Sequence, residues 1–185
     1  MKKVFSTIAL LCTLSGFSAT SVAEPTVEVE TSLGSFVIEL NSQAAPITVA
    51  NFLKYVEDGS YKGSIFHRVI PNFMAQGGGF NTKMDRLPIY APIKNEASNG
   101  LLNNQATIAM ARTQEPDTAS RQFFINYRDN SNLDYRPGSA GYAVFGKVTS
   151  GFDIIKEMAT RPTTRYQQMS DVPKTPIVII DMKIK

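Results

Sequence analysis

The sequence predicts a mainly β fold, in which many short strands with two α-helices suggest a closed barrel capped at its ends. Two observations carry this reading. Short β-prone runs recur between loops rich in Gly, Pro, Asn and Ser, and only two stretches repeat apolar residues at helical spacing.

Thr26-Val27-Glu28-Val29-Glu30 alternates polar and apolar residues, and after the turn Thr31-Ser32-Leu33-Gly34 the alternation resumes through Phe36-Val37-Ile38-Glu39-Leu40. This reads as a hairpin. Pro46 suits the first turn of a helix, and Val49, Phe52, Leu53 and Val56 follow at helical spacing until Asp58-Gly59 stops the pattern. Strands are expected over residues 65–70, 73–76, 107–111, 122–126 and 143–148. A second helix fits residues 152–159 with Ser150 near its start, and residues 177–184 close the chain as a β-branched strand. The connections over residues 81–106 and 161–176 are long for so small a domain, and long ordered loops are often functional or pack as lids. Gly77-Gly78-Gly79 reads as a backbone requirement at a strand end, where glycine permits positive φ or close approach.

Met1-Lys2-Lys3 is a short basic start, residues 4–17 are mostly apolar, and Ser21-Val22-Ala23 matches the small-x-small pattern that signal peptidase reads. Residues 1–23 are therefore expected to be a cleaved signal peptide and residues 24–185 a single domain, localised to the periplasm with no membrane attachment. The apolar run falls short of the roughly 20 residues that cross a bilayer. Cys12 is the only cysteine and lies in the leader, so the processed chain can form no disulfide and relies on its apolar core. Losing Lys2 and Lys3 lowers the formal charge from +3 to about +1, too little to point to nucleic acid as a partner.

Standard catalytic equipment is scarce. His67 is the only histidine, so serine–histidine chemistry is limited to what His67 can serve. There is no Gly-x-Ser-x-Gly elbow and no phosphate-cradling loop, and the glycine run lacks the spacing of a dinucleotide fingerprint. Metal sites of histidine and cysteine are disfavoured on the same count, and no cofactor is expected. The reaction should need little proton transfer.

The stretch FHRVIPNFMAQGGGF, from Phe66 to Phe80, is followed by RQFFIN at Arg121 and YAVFGKV at Tyr142. In this order the three motifs closely resemble the cyclophilin signatures, and the resemblance extends to PITVANFLKYVEDGSYKGSIFHRVI in the first helix and strand. It implies a closed antiparallel β-barrel of about eight strands capped by two α-helices, consistent with the strand pattern, and peptidyl-prolyl cis/trans isomerase activity in a surface groove of that barrel. Arg68 would be the catalytic residue, with Phe73, Met74, Gln76, Phe124 and Leu133 binding substrate. Ala111 would floor the groove beside Arg112, and Gln122 would support the arginine region. His67 is a possible supporting neighbour, since amide rotation moves no proton. Apart from the motif, Arg68 would read as a surface ion-pair partner and the aromatic and methionine residues as core. The remaining Lys and Arg residues read as solvated surface.

An X-Pro bond resists rotation by about 18–20 kcal/mol because the amide nitrogen shares its lone pair with the carbonyl. Twisting localises that pair, so a fixed charged donor is stronger in the twisted state than in either planar one. The implied partners are unfolded or partly folded proline-containing polypeptides, and nothing in the chain demands a dimer. A binding module that holds proline segments in the same groove is the rival reading. Asn132 and Tyr142 stand where the familiar eukaryotic pattern has tryptophan and histidine, both lining the groove in that family. Losing the indole removes a large apolar contact and a donor, so cyclosporin is expected to bind weakly. Titration calorimetry on the processed protein tests this, and a nanomolar dissociation constant overturns it.

Overall fold

Alternation along residues 26–40 folds as a hairpin. In β1 (Thr26–Thr31) and β2 (Gly34–Leu40), Val27 pairs with Ile38 and Val29 with Phe36, so four apolar side chains share the buried face. The structure, a computed structural model, describes residues 23–185; residues 1–22 of the expected leader, Cys12 among them, lie outside the described residues.

The chain continues through α1 (Pro46–Glu57), β3 (Ser64–Ile70), β4 (Met74–Asn81), β5 (Thr107–Met110), β6 (Phe123–Asn126) and β7 (Val144–Ser150). It ends with α2 (Phe152–Met158), β8 (Thr163–Tyr166), β9 (Met169–Pro173) and β10 (Ile177–Ile184). Eight strands close into a barrel in the order β1-β10-β3-β4-β6-β5-β7-β2. The pairings around it are antiparallel. Fold class and both helices therefore match the sequence reading.

The barrel interior is one cluster to which α1 contributes Val49, Phe52 and Val56 and α2 contributes Ile155 and Met158. Phe52 is central, its ring 5.4 Å from Tyr61, 5.7 Å from Phe123 and 5.2 Å from Phe145. The first turn of α1 has no side-chain cap from Ala45; instead the Glu96 carboxylate accepts hydrogen bonds from the backbone N–H of Ile47 and Thr48 and from the Thr48 hydroxyl. A carboxylate there satisfies orphan donors and complements the helix dipole. It also ties the long 81–106 connection to the helix.

Two expectations are corrected. The 161–176 connection contains the β8–β9 hairpin, a separate two-stranded sheet packed against β3. The glycine run lies inside β4 rather than at a strand end, where the β3–β4 register shifts twice. Gly78 has φ +84°, and a Cβ on Gly79 would come within 2.6 Å of the Gln122 side chain. α2 begins at Phe152, as expected, with Gly151 as its N-cap: Gly151 has φ +74°, and a Cβ there would meet the Ser35 carbonyl oxygen at 2.5 Å.

Candidate functional site

Adjacent residues of a strand face opposite sides of a sheet, and this decides where the site lies. Phe123 and Ile125 point into the barrel core, whereas Phe124, between them, joins Met74, Ala109 and Val144 in a second, outer cluster. Ile70, Phe73, Leu101, Ala111, Leu133 and Tyr142 pack around that cluster, partly buried.

The register aligns the polar groups with it. Arg68 pairs with Gln76 across β3 and β4, and Gln76 pairs with Phe124 across β4 and β6. Phe124 in turn pairs with Ala109, and Ala109 with Val144. One row therefore crosses five strands on the outer face, running from a guanidinium through an amide to an apolar platform. A register shift between Phe66 and Arg68 lets the consecutive His67 and Arg68 both line the same cleft.

That cleft has a volume of about 510 Å³ and is lined by Arg68, Phe73, Met74, Gln76, Ala111, Arg112, Gln122, Phe124, Leu133, Tyr142 and His67. Every sequence-predicted site residue except Asn132 thus meets in one cavity. Asn132 is exposed on the single 3-10 turn Ser131–Leu133 and lies outside the lining; Leu133 is the residue of that turn that reaches the cleft. The sequence missed Phe80, Arg86, Gln168, Met169 and Ser170. The last three come from the β8–β9 hairpin, and only the length of its connection hinted at a role.

Individual side chains are held firmly. Gln76 donates through Nε2 to Gln122 Oε1 at 2.9 Å, so Gln122 supports Gln76, which itself lies opposite Arg68. Arg112 donates through Nε to the Gly141 carbonyl at 2.9 Å and through Nη1 to that of Thr113 at 2.8 Å, with its guanidinium 4.5 Å over the Tyr142 ring. Tyr142 meets Phe124 edge to face at 5.7 Å. Asn130 Nδ2 donates to the Phe73 carbonyl at 2.9 Å and to Asn126 Oδ1 at 2.7 Å, while Asn126 bonds Asn103 and Thr107. This buried amide network fixes the Phe73 backbone, and the Leu133 N–H bonds the Asn130 carbonyl at 2.9 Å. Among the described residues, no hydrogen bond or ion pair engages the half-buried Arg68 guanidinium.

Arg121 corrects the expectation that the arginines are solvated. It is 1% exposed and donates to the carbonyls of Gly78, Pro88 and Ser60.

A family model described as cyclophilin type peptidyl-prolyl cis-trans isomerase matches residues 26–184. A peptidyl-prolyl cis-trans isomerase of Acinetobacter baylyi is 53% identical over 168 residues, covering 91% of this chain and 89% of the relative. Peptidyl-prolyl cis-trans isomerase A of Dickeya dadantii is 44% identical, covering 99% of this chain and 97% of its own. Among solved structures, a cyclophilin type isomerase of Cryptosporidium parvum superimposes with a TM-score of 0.73 at 26% identity, covering 88% of this chain and 98% of that one. The same protein crystallised in the presence of the dipeptide Ala-Pro gives a TM-score of 0.72 at 27% identity, covering 86% of this chain and 98% of that one.

His67 packs its ring 4.6 Å from that of Phe80, and its Nδ1 has no hydrogen-bond partner. Burial pushes its pKa from 6.5 down to about 4, reinforced by the charges of Arg68 and Arg86 and partly opposed by the Ile65 backbone. The imidazole is therefore neutral at pH 7. In the unfolded chain it binds a proton more readily, so this contribution to stability is complete above pH 6.5 and is lost as pH falls through about 4. The shift corresponds to on the order of 3 kcal/mol. Urea unfolding of wild type and His67→Gln between pH 7 and pH 4 tests this: the wild type should lose stability relative to the variant as pH falls. Parallel curves would overturn it.

Proposed function

The chain belongs to the cyclophilin-type peptidyl-prolyl cis-trans isomerase family, and on that premise we propose that it isomerises X-Pro bonds in exported polypeptides, with Arg68 as the charged donor to the twisted amide. The observation that carries the mechanism is the row Arg68–Gln76–Phe124, which sets a guanidinium, an amide and an aromatic platform side by side.

In this reading the proline ring sits among Phe73, Met74, Phe124 and Leu133, against the Tyr142 ring. The dipeptide Ala-Pro present with the Cryptosporidium parvum protein supports a proline-containing peptide as the ligand class. Gln76 spends one N–H on Gln122 and keeps its carbonyl oxygen and second N–H for the substrate backbone, holding one side of the peptide while the other turns. Arg68, permanently charged and without a protein partner among the described residues, donates to the amide as its nitrogen lone pair localises. A charge-assisted hydrogen bond contributes about 1.5–3 kcal/mol, or roughly ten- to a hundredfold in rate. The apolar wall adds to this because a twisted amide is less polar than a planar one and loses less on leaving water. His67, neutral and buried, transfers no proton.

Export is the second part of the proposal. The leader over residues 1–23 is followed by Glu24, whose carboxylate accepts the Ser42 N–H at 2.7 Å, so the fold engages the chain from the first residue after the expected cleavage point. In the periplasm its substrates would be newly exported proteins, whose uncatalysed prolyl isomerisation takes tens of seconds or more and can limit folding.

Exchange NMR on a short X-Pro peptide separates this from a proline-binding module. Arg68→Ala should lower catalysed exchange about ten- to a hundredfold while peptide affinity changes far less. Equal losses in exchange and affinity would favour the binding module. The export proposal predicts that protein recovered from the periplasm has the intact mass of residues 24–185; retention of the leader would overturn it.

A further inference from the structure

The cleft concentrates positive charge in a chain that is otherwise nearly balanced. Arg68, Arg86 and Arg112 line it without a single carboxylate, whereas residues 24–185 carry a formal charge of only about +1. The three arginines differ in what they are free to do. Arg112 is committed to the carbonyls of Gly141, Thr113 and Gln114 and to the Tyr142 ring. Arg68 lies beside Gln76 at the centre of the row.

Arg86 stands apart from both. Its guanidinium lies 5.3 Å from the centre of the Phe80 ring, which it covers, and no ion pair engages it among the described residues. The neighbouring Asp85 carboxylate is turned to Asn81, accepting its amide N–H at 3.1 Å. The backbone around Arg86 is fixed: Asn81 Oδ1 accepts from the N–H groups of Lys83 and Asp85, Leu87 N–H bonds the Gly79 carbonyl at 3.0 Å, and Arg86 bridges Phe80. His67, Gln168 and Ser170, which also line the cleft, are uncharged or neutral at pH 7.

Resting on the isomerase reading of the cleft, we propose that Arg86 forms a subsite for an acidic side chain of the polypeptide substrate, at the end of the cleft away from the proline pocket. Phe80 lies four residues along β4 from Gln76, roughly 13 Å in extended chain, which places the acidic residue about two to four positions from the proline. Arg86 is solvent-exposed, so the preference is modest: about two- to fivefold, falling as salt rises.

The test is catalysed exchange, measured by NMR at low salt with the processed chain, on peptides with a single X-Pro bond. Glu, Gln or Lys is placed in turn at each of the positions about two to four residues before and after the proline. At one position kcat/KM should follow Glu over Gln over Lys; the order should flatten in Arg86→Gln and invert in Arg86→Glu. Equal catalysis of the three peptides at every position would overturn the subsite and leave the isomerase standing. A Glu preference that persists in Arg86→Glu would remove Arg86 from the role. Acceleration of no peptide at all would take down the isomerase reading and the subsite with it.

Discussion

The Arg121 guanidinium donates to the carbonyls of Gly78, Pro88 and Ser60 at 2.6, 2.7 and 2.6 Å, from a position 1% exposed to solvent. Those acceptors belong to β4, to the long connection after it, and to the turn between α1 and β3. Moving a charge out of water costs several kcal/mol, and the arrangement is stable only because the donors are aimed at fixed carbonyl dipoles. The rings of Tyr55 and Tyr61, 5.2 and 5.5 Å away, add their negative faces. Tyr61 also donates its hydroxyl proton to the Arg121 carbonyl at 2.7 Å. A lysine could carry the charge but could not span three diverging acceptors with a planar fork.

The cleft inherits its geometry from this point. Gly78 lies in the register shift between the Ser64–Asn81 and Phe66–Gly77 pairings, and its carbonyl accepts from Arg121, so the irregular stretch of β4 that adjoins the Arg68–Gln76 row is held from below. Gln122, the next residue, packs over Gly79 and fixes Gln76. Phe123 enters the core and Phe124 the outer cluster. Four consecutive residues thus serve a buried charge, an amide clamp, the barrel core and the outer apolar cluster in turn. A one-residue slip of β6 would exchange all four roles at once.

The same alternation explains what was legible in the sequence. The β1–β2 hairpin, α1 and β10 were readable because each has one buried face with its own period, and the RQFFIN motif marked β6. β8 and β9 were not, because a hairpin with exposed side chains along most of its length, such as Thr164, Arg165 and Tyr166, carries no apolar alternation. Arg121 looked like surface because burial of a charge depends on carbonyls brought together from residues 60, 78 and 88, which no local pattern records. Arg86 and the residues of the β9 turn were missed for the same reason: they reach the cleft only through the folding of long connections. Asn132 failed in the opposite direction. Its match to the tryptophan of the familiar eukaryotic pattern suggested the cleft, but on a single 3-10 turn adjacent side chains diverge, and only Leu133 faces it.

The charge pattern of the cleft also fits what amide rotation requires. A reaction that moves no proton gains nothing from a group poised to titrate near neutrality, and it is harmed by one whose field varies with pH. The ionisable groups around the row avoid this. Burial holds His67 neutral down to about pH 4. In the proposed mechanism the field on the twisted nitrogen would be set by fixed donors on the sheet, with the neutral imidazole packed against Phe80 beside them. Under that proposal, burial of His67 near the charges of Arg68 and Arg86 would keep a titrating side chain out of the chemistry.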